Sequence, residues 1–193
     1  MGLSLVTAPA TEPLTLDEAK THLRVFHSDE DALISGLILS VRQHAESFTH
    51  RCFITQTWDE RRDVFPSCGP IWLTLAPVAS VSSISYVDQN GTTQTWSSSL
   101  YRTDLPSGPW AQGGRIEPAY GEYFPTTRSI VNAVTIRMVA GYGTAASVPG
   151  PILSAMKILL EHWYRYRGAA ISGTIIAPVP MSVDALLWPY KVF

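Results

Sequence analysis

The residues best suited to metal chemistry are five histidines and two cysteines: His22, His27, His44, His50, His162, Cys52 and Cys68. His44, His50 and Cys52 come nearest to a cluster. A structural zinc site, however, takes four ligands, usually in close pairs, and neither a CxxC nor an HExxH pair is present. Neither a metal nor a cofactor is therefore expected. No serine sits in a GxSxG elbow and no phosphate-binding P-loop occurs. Glu117 and Glu122, beside Trp110 and Tyr120, are the one carboxylate pair that could be imagined cleaving a glycosidic bond. They flank Pro118 and Gly121 in an irregular stretch, and nothing there fixes their separation. Asn90-Gly91-Thr92 has the form of a glycosylation acceptor, but a hairpin turn explains it better. No catalytic residue emerges, and the chain reads as a non-enzyme.

Composition narrows the remaining classes. With 46% hydrophobic and 16% charged residues, the chain is too apolar for a disordered protein, and 193 residues suffice for one substantial core. A formal charge of −2 argues against gripping nucleic acid, which releases counterions to strongly basic surfaces. The longest apolar run, near Ile34 to Val41, is broken by Ser35, Gly36 and Ser40, so no membrane span is expected. Met1 to Ala10 lacks the basic start of a secretory leader, and two cysteines make no disulfide framework. A reduced, soluble, intracellular protein is the expectation.

The elements that would position any site read as helix, then strands, then helix. Thr15 has the form of an N-cap for a short helix from Leu16 to about Val25, with Asp17 and Glu18 in its first turn. Ser28, with Asp31 at capping-box spacing, suggests the start of a long helix reaching Arg51. Along it Ile34, Leu37, Ile38, Val41, Ala45 and Phe48 form one apolar stripe. Strands are expected at about 54–64, 71–75, 81–87, 93–97, 115–117 and 130–139, with a type I′ hairpin turn at Asn90-Gly91. The stretch 98–128 is poorly patterned and reads as a loop or an assembly surface. After Pro149-Gly150-Pro151 a second long helix carries Ile152, Ala155, Met156, Leu159, Trp163 and Tyr166 on one face and stops at Gly168. The fold class is thus α+β: a helical core of two long helices plus short ones, with a β-rich insertion between them. The expected organisation is a single domain over 1–193. Its helical core spans 14–52 and 149–168, its insertion 53–142, and its C-terminal docking segment 181–193. Neither stripe can be buried alone, so the two long helices should pack together.

The chain end is unusual. Ser182 to Trp188 is short and amphipathic, and Trp188-Pro189-Tyr190 and Phe193 follow, where chain ends are normally polar and frayed. Such a segment should dock, either onto its own core or onto a partner. Lys157, Arg165, Arg167 and Lys191 give residues 149–193 an excess of two positive charges, which would suit an acidic partner surface.

Several of these stretches resemble a known family. LTLDEAKTHLRV followed by DEDALISGLILSVRQHAESFTHRCFITQTWD, Leu14 to Asp59, is similar to the opening of the head-tail connector (adaptor) proteins of long-tailed phages and phage-like gene transfer agents. VTIRMVAGYGTAASVPGPILSAMKILLEHWYRYRG, Val134 to Gly168, resembles the family's last strand, AGYG turn and second long helix, and DALLWPYKV resembles its terminal element. The resemblance implies a structural part of the virion neck, assembled in the host cytoplasm as a homo-oligomeric ring, usually of twelve subunits. Such a ring sits beneath the portal protein, extends the channel through which DNA passes during and after packaging, and offers a platform to a stopper or tail-terminator protein. DNA would pass without sequence-specific contact, which fits the near-neutral charge. Carried over, Leu186, Leu187, Trp188, Pro189, Tyr190 and Phe193 are the candidates for docking on the portal. A closed ring needs a heterologous interface, and one helix and the β insertion are the expected opposing faces. Alternatives are another neck or tail-completion protein, or a glycan-binding module using Trp96, Trp110 and Tyr120.

Overall fold

The computed structural model describes residues 2–166 and 181–192, and it has four helices and two antiparallel sheets. The α+β expectation holds. Gly168 and the stretch 168–180 lie outside the described residues, as do Arg167 and Phe193.

Helix α1 (Leu16–Leu23) starts as its residue types require. Thr15 Oγ1 accepts from Glu18 N–H at 3.2 Å and the Glu18 carboxylate accepts from Thr15 N–H at 2.9 Å, a complete capping box. Helix α2 (Asp31–Thr49) begins later than the Ser28 cap suggested. Glu30 stands at its N-cap with its carboxylate turned to accept from the Tyr164 hydroxyl rather than to cap the helix, and Ser28 contributes its carbonyl, to Asp31 N–H at 3.2 Å. Asp31 is otherwise engaged: its carboxylate takes Lys20 Nζ at 2.6 Å and ties α2 to α1. Helix α3 (Gly150–Arg165) has Pro151 in its first turn, and α4 (Met181–Leu187) runs into a single 3-10 turn, Trp188–Tyr190.

The two stripes do zip together. Ile34, Ile38, Val41 and Ala45 of α2 and Ile152, Ala155, Met156, Leu159 and Leu160 of α3 are buried in one cluster, with Leu37, Phe48 and Trp163 packed at its margin. Tyr166 departs from this pattern. It follows the last helical residue, sits against His162 at 5.0 Å between ring centres, and is half exposed.

The larger sheet has the order β1-β2-β8-β4-β5, using β1 (Gly2–Thr7), β2 (Gln56–Arg62), β4 (Val78–Val87), β5 (Thr93–Trp96) and β8 (Val134–Ala140). Strand β1 was not anticipated: it pairs with β2 from Gly2↔Arg61 to Leu5↔Trp58, more than fifty residues away, with a bulge before Thr7. The smaller sheet has the order β3-β7-β6, using β3 (Ile71–Trp72), β6 (Tyr101–Asp104) and β7 (Arg115–Pro118). It gives structure to much of the stretch that reads as loop. Between the sheets Ile71, Ile84, Trp96, Ile116, Ile136 and Met138 form a second cluster that shares no buried residue with the helical one.

The β4–β5 hairpin is where Asn90-Gly91 placed it, but its turn differs. Only Gly91 has positive φ (87°); Gly91 N–H donates to Asp88 O at 3.0 Å and Asp88 N–H to Thr92 O at 2.9 Å. This is a type I turn closed by a glycine bulge. The Asp88 carboxylate, accepting from the N–H groups of Asn90 and Thr92 at 2.9 Å each, makes the tighter two-residue turn unnecessary.

Candidate assembly site at the C-terminal segment

The joint between the two clusters is polar. Arg42, itself buried on α2, donates Nε to Glu12 and Nη1 to Glu46, both at 2.6 Å. Glu46 Oε1 accepts from Phe53 N–H at 2.7 Å and Gln56 Nε2 at 2.8 Å, so one carboxylate holds the chain as it leaves α2 for β2. Burial pushes the Glu46 carboxyl above its ordinary range in spite of these donors. Arg51 is fully buried; its Nε donates to Tyr190 O, and its Nη1 and Nη2 have no hydrogen-bond partner. Desolvation accordingly lowers its pKa.

The chain end is anchored on that joint. Val183, Leu187 and Tyr190 belong to the helical cluster, and Val192 N–H donates to Thr49 O at 2.9 Å. Of the predicted docking residues, Leu187 and Tyr190 are therefore spent on the chain's own core, and Leu186 is half-buried against it. Pro189 is exposed and Trp188 is 58% exposed. Lys191 Nζ lies 5.1 Å from the Phe48 ring centre and 5.4 Å from that of Trp188, a double cation–π contact that poses the indole. Trp110 stacks on Tyr190 at 6.3 Å from the far side.

Beside this segment opens a cleft of about 600 Å³ lined by His50, Arg62, Trp72, Gln112 and Lys191 among others. Trp72 is exposed, with the Arg115 guanidinium 5.9 Å from its ring centre. Two exposed tryptophans thus have basic neighbours, Trp72 with Arg62 and Arg115 and Trp188 with Lys191, while the exposed Trp110 lies on Tyr190. Arg62 is paired with Glu60, and Arg115 with Asp104 and Glu117, so the patch combines exposed aromatic side chains with a largely neutralised polar rim, the composition of many protein interfaces. Trp72 escaped the sequence reading. Its signal was the alternation Ile71-Trp72-Leu73, buried, exposed, buried, with the largest side chain on the wet side.

Residues 13–99 match the family described as phage gp6-like head-tail connector proteins. Over that stretch the chain is similar to the head-tail connectors. Three solved structures resemble the chain over 100% of its length and 96% of theirs. These are a chain of the neck of an empty gene transfer agent (GTA) particle computed with C6 symmetry (TM-score 0.82, 23% identity), one of the native GTA virion (0.82, 22%) and one of the native GTA neck computed with C12 symmetry (0.78, 22%). No curated protein matches it.

The other residues singled out for chemistry lie apart. His44 meets the edge of Trp163 at 5.6 Å, His22 faces Glu161 at 3.4 Å and His27 faces Asp29 at 3.6 Å. Among the described residues no three His, Cys, Asp or Glu side chains come together as metal ligands, and no helix is long and apolar enough to cross a membrane. Glu117 pairs with Arg115 at 3.4 Å on β7, while Glu122 lies in the turn that follows. Trp96 is only 4% exposed, packed against Phe65, Tyr101 and Phe124, so it offers a glycan no platform.

Proposed function

We propose that this protein is a head-tail connector, a structural adaptor of the virion neck of a phage or phage-like particle. Its copies form a ring beneath the portal, extend the DNA channel, and join the filled head to a stopper or tail-terminator protein. The observation that carries this reading is the family match over residues 13–99, supported by likeness along the whole chain to neck proteins of a gene transfer agent. The work is mechanical and no catalytic step is assigned. A wedge built of packed helices supplies stiffness. The near-neutral charge suits a bore through which DNA must slide, because each basic contact would retain it. Trp188 and Pro189, held outward by buried neighbours, are the residues assigned to portal docking, and Trp72, Trp110 and Lys191 extend that surface.

The test is electron microscopy of particles from cells lacking the protein. DNA-filled heads without tails are expected, restored by the wild-type chain; tailed, infectious or transfer-competent particles would overturn the proposal. Cross-linking of Trp188→Cys to the portal separates an adaptor from a stopper or tail-completion protein, which would link elsewhere.

A further inference from the structure

Both outer edges of the five-stranded sheet are open. β1 pairs only with β2 and β5 only with β4, and among the described residues no other backbone hydrogen bond reaches 2–7 or 93–96. Exposed edges are normally blunted by lysine, proline or an inward charge, since a bare row of N–H and C=O groups recruits other chains. Neither edge is protected in that way. Gly2–Thr7 (GLSLVT) and Thr93–Trp96 (TQTW) contain no charged residue and no proline. Leu3, Leu5 and Val6 of β1 are each about 40% exposed or more. The bulge of β1 falls beyond Leu5, so its regular part, Gly2 to Leu5, equals β5 in length at four residues.

Resting on the ring reading above, we infer that β1 of one copy adds to β5 of the next, so that the five-stranded sheets run on from subunit to subunit around the ring. The two edges are different strands at opposite ends of one sheet. Pairing them is heterologous, the type of contact that closes cyclically, and it satisfies both edges of every copy at once. An isologous β1–β1 contact would make dimers and leave β5 bare. Leu3 and Leu5 also line an apolar groove of about 490 Å³ with Leu39 and Trp58, which the incoming edge would cover.

The experiment uses purified particles carrying the full chain. In wild-type particles, amide exchange at both 2–7 and 93–96 should slow at least tenfold relative to the free chain. Separately, Ser4→Cys with Thr95→Cys, in a Cys68→Ser background, is treated with a short bismaleimide. A ladder of covalent multiples rising to the full ring is expected. Protection at one edge alone or at neither, or linkage of position 4 to position 4, overturns the inference while leaving the neck reading intact. Absence of the chain from purified particles overturns the neck reading and the inference with it.

Discussion

Val192 N–H donates to Thr49 O at 2.9 Å, so the last described residue of the chain is bonded to the last residue of α2. With Leu187 and Tyr190 buried and Trp188 turned outward, this segment divides its residues between the core and the surface, where the proposed docking lies. The division is measurable. Leu187→Ala and Tyr190→Ala should each cost about 2–4 kcal/mol in urea unfolding, because each opens a cavity in the helical cluster. Trp188→Ala should change stability by no more than about 0.5 kcal/mol yet abolish co-purification with the portal. Equal destabilisation by all three would refute the division.

Two glycines should respond with opposite sign. Gly141 has φ 127°, and a Cβ there would collide with the backbone of Ile54 and meet Thr55 N at 2.8 Å. Gly141→Ala should therefore destabilise by several kcal/mol or prevent soluble expression. Gly36 lies inside α2 with nothing within 4 Å of the Cβ it lacks, and Gly36→Ala should stabilise the isolated chain by up to about 1 kcal/mol. Thermal melts of the two variants decide this.

Asp59 takes Arg137 in two parallel bonds, Nε to Oδ1 at 2.8 Å and Nη2 to Oδ2 at 2.9 Å, which hold its carboxyl below the usual carboxylate range. A carboxyl depressed by folding contributes stability above its unfolded value, near pH 4, and loses it as pH falls through the folded value. Because Arg137 is half exposed, the contribution should be under about 1 kcal/mol. At pH 7 Asp59→Asn should be less stable than wild type by that amount, and the gap should close as pH falls through the folded value of the carboxyl. A gap that widens with acid would contradict the sign.

The cysteines should separate cleanly toward thiol reagents. Cys68 is exposed; Cys52 is buried, and loss of solvent pushes its thiol far above the ordinary range. One equivalent should react in native buffer and two in denaturant, with Cys68→Ser removing the native one.

What was readable in the sequence is what local periodicity encodes. The stripes on α2 and α3 recur at three and four residues, and both ended in one core. The Thr15–Glu18 cap is a contact across three residues, and it was met in full. What escaped depends on partners far along the chain. Leu3 and Leu5 alternate as a strand should, but two residues of alternation mean little without β2, which arrives at Gln56. Strand β6 likewise becomes a strand only beside β7, and Ser28 does not cap α2 because the helix starts two residues later, with Glu30 at the N-cap. The proposed docking surface was half legible. The aromatic chain end announced itself, while Trp72 and Trp110 join it from separate loops and strands by tertiary folding alone.

Two apolar clusters with no buried residue in common among the described residues give the protein a division of labour under change. A lengthened loop or a swapped side chain among the strands perturbs its own neighbourhood and leaves the helical wedge seated. The strand cluster can therefore accept change without loosening the packing of α2 against α3.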